Sequence, residues 1–178
     1  MRARRLAPLV VLAVAVPAAA SIARALSLDE LSARAELVVL GRVTGQQARW
    51  TRDHRRLVTR VTVAVEERWK GDAPAEITVL RPGGELDGLG QEVLGEPRFE
   101  TGERVVLFLV ERGDFYRAVG MAQGAFRVEG GTATQDLSEL ALARDDGAGR
   151  LAIGAHGGGA LPPLALQELR ARVIGAAR

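Results

Sequence analysis

The 178-residue chain has no cysteine and no asparagine, one lysine (Lys70) among its 24 basic residues, two histidines, and 4% aromatic residues. Each scarcity closes a chemistry. Without cysteine there is no disulfide, no thiolate nucleophile and no lipid-modified N-terminal cysteine, so stability has to come from buried apolar surface. His54 and His156 stand far apart in sequence, and neither has a second imidazole or a thiolate at ligand spacing, which leaves a zinc site without ligands. Beyond residue 25 the serines are Ser27, Ser32 and Ser138, and none sits in a G-x-S-x-G elbow. Glu66 and Glu67 are adjacent carboxylates, but neighbours on a strand point to opposite faces and cannot flank one bond. Gly88, Gly90 and Gly95 match neither G-x-G-x-x-G nor a phosphate-binding loop with its lysine. Glu85, Asp87, Glu92 and Glu96 lack the alternating spacing of a calcium loop. These exclusions leave no cofactor, no metal and no catalytic set, and the chain reads as a binding protein, not an enzyme.

What is present starts at the N-terminus. Met1 to Arg5 is a basic stretch, Leu6 to Ala20 is apolar, and Ala23-Arg24-Ala25 offers small residues at signal-peptidase spacing, so residues 1–25 read as a signal peptide. Ala18-Ala19-Ala20 is a second possible cleavage site. Pro8 and Pro17 interrupt the apolar run, and it falls short of the roughly 20 residues that span a bilayer, so membrane contact is expected only in transit. Arg4-Arg5 is not followed by the residues of a twin-arginine signal. Arg2, Arg4, Arg5 and Arg24 belong to this leader and no acid does, so the formal net charge of +2 turns negative on its removal. No nucleic-acid partner is expected from such a surface. Arginine used almost to the exclusion of lysine, and the absence of asparagine, fit a GC-rich genome. The reading is an exported bacterial protein, periplasmic or secreted.

The following residues alternate as strands do. Ser27-Leu-Asp-Glu30 has the form of a capping box opening a short helix to Ala35. Leu37 to Leu40 is apolar without a break and predicts a strand buried on both faces, bent at Gly41. Val61, Val63 and Val65 alternate with Thr62, Ala64 and Glu66; after a turn at Lys70-Gly71-Asp72, Ile77 and Val79 continue the pattern, predicting a hairpin. Trp69 follows these valines on the same face and is expected to close one end of the core. Pro82 to Pro97 is glycine-rich and aperiodic, and reads as a long mobile loop. Arg104 to Val110 predicts the central strand, with shorter strands at 116–119 and 125–128. Asp136 to Arg144 suggests a helical turn or two, Asp145 to Gly159 a loop. After Pro162-Pro163 a helix carries Leu166, Leu169 and Val173 on one stripe. The division expected is a signal peptide (1–25), a small antiparallel β-barrel domain (26–135), and a glycine-rich segment with an amphipathic C-terminal helix (136–178).

The succession LVVLGRV, VTRVTVAVEERWKG, ITVLRPGG, GEPRFETGERVVLFL and VGMAQGAFRV resembles a family of uncharacterised exported bacterial proteins. More distantly, it is similar to the OB-fold barrel of the netrin-like module in tissue inhibitors of metalloproteinases. The resemblance spans Glu36 to Val128 and implies a mainly β, OB-like barrel. In the inhibitors a leading cysteine chelates the target's zinc, and this chain has none, so that mode does not carry over. The function expected is recognition of a protein or envelope polymer through the 82–97 loop and its surroundings, with Trp50, Gly83, Gly84, Glu85, Asp87 and Gln91 as binding residues. Trp50 enters as an anchor beside Arg49 and Arg52, because interfaces are rich in tryptophan and arginine. A protease-inhibitor module and a hydrolase drawing on Glu85, Asp87 and Glu92 are the alternatives.

Overall fold

The computed structural model describes residues 21–145, 147 and 150–176. Residues 1–20 of the expected leader lie outside the described residues. The chain is mainly β. In order it forms β1 (Ser21–Arg24), α1 (Leu28–Arg34), β2 (Leu37–Trp50), β3 (Leu57–Lys70), β4 (Glu76–Pro82), β5 (Gly84–Leu86) and β6 (Leu89–Gln91). Then follow β7 (Arg104–Arg112), β8 (Phe115–Ala118), a short 3-10 turn (Met121–Gly124), β9 (Ala125–Glu129), β10 (Thr132–Thr134), β11 (Leu140–Asp145), β12 (Leu151–His156), β13 (Leu164–Ala165) and α2 (Leu166–Ala176).

The large sheet runs β13-β10-β9-β7-β2-β3-β4-β8, and β8 also pairs with β7. Its central hairpin follows from the valine alternation: Val61 lies opposite Val79 and Val63 opposite Ile77, all four buried. The sheet is mixed and not purely antiparallel, because β8 meets β4 in parallel at Tyr116 and Val79. Both faces are covered, as the unbroken apolar run of β2 requires. Leu37, Val39, Val61, Val63, Val105 and Leu107 fill one side, with Phe99. Val38, Leu40, Val106, Phe108, Phe126 and Val128 fill the other, beneath α1 and α2.

Trp69 belongs to this second side, away from Val61 and Val63. The register explains the reversal: β3 carries extra residues where it passes Val38 to Gly41, so period-two counting fails there. Its indole Nε1 donates to Glu67 3.0 Å away, and Glu67 also holds Arg170 of α2 at 2.9 Å. Leu166, Leu169 and Val173 dock the helix. At the other end of α1, Ser27 and Glu30 complete the reciprocal cap. Lys70 donates from Nζ to the Ser32 carbonyl at 2.7 Å, tying α1 to β3.

Three expectations are corrected. The aperiodic loop at 82–97 contains the β5–β6 hairpin, turned by Asp87 and Gly88, whose φ values of 54° and 75° suit a type I′ turn. The helical turns expected within 136–144 are replaced at Leu140 by strand β11, and part of the loop expected at 145–159 is strand β12. These two join β1 in a separate three-stranded sheet. Residues 21–24, the end of the expected leader, therefore form a strand, parallel to β11 with Ile22 beside Ala141. Among the described residues no helix is long and apolar enough to cross a membrane.

Candidate functional site

The β5–β6 hairpin folds back over the end of the β2–β3 hairpin, and this return needs backbone without side chains. Gly83 has φ +85°, donates its N–H to the Leu57 carbonyl (2.8 Å) and accepts from the buried Thr59 hydroxyl (2.7 Å). A Cβ there would lie 2.5 Å from the Gln91 carbonyl oxygen. Gly84 has φ +150°, and a Cβ on it would lie 2.5 Å from Thr59 Oγ1. Gln91 locks the second arm by accepting the Leu57 N–H at 2.7 Å.

The hairpin walls a groove of about 530 Å³ lined by Arg81, Gly84, Glu85, Gly90, Gln91, Glu92, Arg98 and Phe99. Three of the residues expected at a binding site, Gly84, Glu85 and Gln91, come together here. Gly83 is buried behind the wall, and Asp87 is exposed at the hairpin tip. Trp50 is half-buried, closes the β2–β3 hairpin opposite Leu57, and does not line the groove.

Sequence reasoning missed the arginines. Arg98 is ion-paired with Glu92 and Glu139, which fixes one rim of the groove. Behind it Glu96 holds Arg117 at 2.9 Å with its own side chain 8% exposed. Burial pushes the Glu96 carboxyl above its usual range, against the pull of Arg117 and Arg81. Arg81 is different. Its Nε is buried without a hydrogen-bond partner. Among the described residues its guanidinium has neither hydrogen bond nor ion pair within reach. Burial, then the neighbouring Arg98 charge, lowers its pKa, while Glu96, Glu92 and Glu139 oppose the shift from a distance. Its place in the alternation of β4 was legible; its lack of a partner depends on the hairpin and on residues 92–98, which no periodicity marks.

A second concavity, about 580 Å³, lies between Arg24–Ser27 and Ala143–Asp145. Its arginines are engaged: Arg24 pairs with Glu30, and Arg144 donates to the Gly159 carbonyl. Elsewhere Glu66 and Glu67 serve different partners, Arg104 at 2.6 Å and Arg170 at 2.9 Å. Ser138 is bonded to Asp136, and His156 is exposed on β12. Among the described residues no group of three or more His, Cys, Asp or Glu side chains is placed to hold a metal ion. Comparisons of the chain with protein-family models, with curated proteins and with solved structures give no match.

Proposed function

We propose that this is an exported, non-enzymatic recognition domain, and that the groove beside the β5–β6 hairpin binds a carboxylate on an envelope protein or polymer. One observation carries the reading: Arg81, half-buried and with its Nε unbonded, lines a groove next to a glycine-built wall. The outer Nη donors of a guanidinium that no acid among the described residues pairs are suited to bidentate capture of a carboxylate. The groove's other cation is already committed, Arg98 to Glu92 and Glu139. Glu85 and Glu92 on the rim would repel a strongly acidic ligand and accept one whose single carboxylate has neutral or cationic neighbours.

The scaffold reading that goes with it is an OB-like barrel of β2, β3, β4, β8 and β7. Its support is the run of successive pairings from β2 to β3, β3 to β4, β4 to β8, β8 to β7 and β7 back to β2. Barrels of this kind bind through one face and the adjoining loops. Catalysis is not part of the proposal, since no nucleophile and base share the groove.

The test is recovery of a partner from bacterial envelope extract on immobilised protein. A stoichiometric partner captured by the native chain should be lost with Arg81→Met and on deleting residues 84–91, while Arg49→Ala, outside the groove, keeps it. Undiminished capture by the folded Arg81→Met variant would overturn the assignment.

A further inference from the structure

We propose that the mature protein begins at Ser21, released by cleavage after Ala20, and that Ala18-Ala19-Ala20 and not Ala23-Arg24-Ala25 is the processing site. The inference rests on the export reading above. Both tripeptides place small residues where a signal peptidase requires them, and the sequence reading puts the boundary at residue 25 with Ala20 as the second site. The folded product reverses that order.

Residues 21–25 are built into the structure. Ser21 to Arg24 run beside Leu140 to Ala143 in parallel register, and the Ala25 N–H donates to the Ala143 carbonyl at 2.9 Å. Ala23 and Ala25 pack on the cluster of Ala122, Leu137, Leu140 and Leu142. The Ser21 Cβ reaches within 3.1 Å of where a side chain on Gly95 would begin. At the far end, Gln123, 2% exposed, accepts the Leu26 N–H at 2.8 Å through Oε1 and donates to the Arg24 carbonyl at 3.1 Å through Nε2. Gln123 is thus a buried clasp closed on main-chain groups from both sides of the Ala25–Leu26 bond.

Cleavage after Ala25 undoes each of these. It leaves β11 paired with β12 alone, and an isolated two-stranded pair is marginal in water. It removes the Arg24 carbonyl from Gln123. It also turns the Leu26 amide, on a residue 8% exposed, into a charged α-amine. Cleavage after Ala20 places the new amine at Ser21, at the start of β1, and spares each of the contacts described for residues 21–26.

The experiment is to express the full-length precursor in a Gram-negative host, fractionate the cells, and determine intact mass and N-terminal sequence. A periplasmic product starting at Ser21 is expected, and Ala20→Leu should abolish the Ser21 terminus. A product of the native precursor starting at Leu26, or an unchanged terminus and yield from Ala20→Leu, overturns the inference and leaves export standing. An uncut chain confined to the cytoplasm overturns both. As a second measurement, leaderless chains starting at Ser21 and at Leu26 are compared. The shorter one should melt lower by roughly 5 °C or more, and equal melting would remove the structural argument.

Discussion

A guanidinium taken partly out of water without an acid or a carbonyl to bond costs stability, and Arg81 is in that position. Replacing it by Met, which keeps the apolar stem and drops the charged head, should leave the melting temperature unchanged or raise stability by about 1 kcal/mol. A variant that is more stable and no longer captures its partner separates a recognition residue from a structural one. The glycines allow a similar separation. Gly84 and Gly88 both have φ in the region L side chains avoid, but only Gly84 also meets Thr59. Gly88→Ala should cost about 1 kcal/mol of backbone strain, and Gly84→Ala about 2–3 kcal/mol because a clash is added. Urea denaturation of the two variants gives the comparison. Glu96 supplies the pH dependence. Its folded pKa is raised above the ordinary glutamate value of 4.5, so the folded chain holds that proton more tightly than the unfolded one. Its contribution is most favourable below that value and declines as pH rises through the folded pKa. Glu96→Gln should therefore gain on the native protein in melting temperature between about pH 4 and about pH 7. A gap that shrinks over the same interval would mean that the Arg117 pair outweighs burial.

At the level of elements, the strands with long unbroken alternation could be read from the chain, because burial on one face or both imposes the pattern directly. The β3–β4 hairpin, with Val61 against Val79, is such a case, and so is the doubly buried start of β2. Where the pattern misleads, the cause is local. Trp69 changes face because β3 bulges against β2. The β5 and β6 strands are three residues each, one of them glycine in either strand, too short to leave a period. β1 is only four residues, Ser21-Ile-Ala-Arg24, too short to leave a period and overlapping an Ala-x-Ala that also looks like the end of a leader, and its partner β11 is distant in sequence. The groove was half legible: glycines at 83 and 84 announce a special backbone, while the pairing state of Arg81 and Arg98 appears only once residues 92–98 and Glu139 are in place. α2 is the element whose docking is easiest to test. Leu169 is fully buried against the sheet and α1, so Leu169→Ala should cost about 3 kcal/mol by loss of packing. A cost below about 1 kcal/mol would place the helix off the body of the protein.

For the whole molecule, the distribution of cations matters more than their number. Arginine carries nearly all of the positive charge, and Lys70 holds its ammonium against the Ser32 carbonyl at the α1–β3 junction. Reagents that acylate primary amines therefore find two addresses on a processed chain, the α-amine and Lys70. Lys70 should react slowly while α1 stays docked and quickly once it lifts away, because a bonded ammonium must first shed its proton and its partner. A single mass-spectrometric time course would then follow the undocking of one helix, with the chain terminus as its internal clock, and stopping it early would leave a protein tagged at the terminus alone, ready for tethering to a surface.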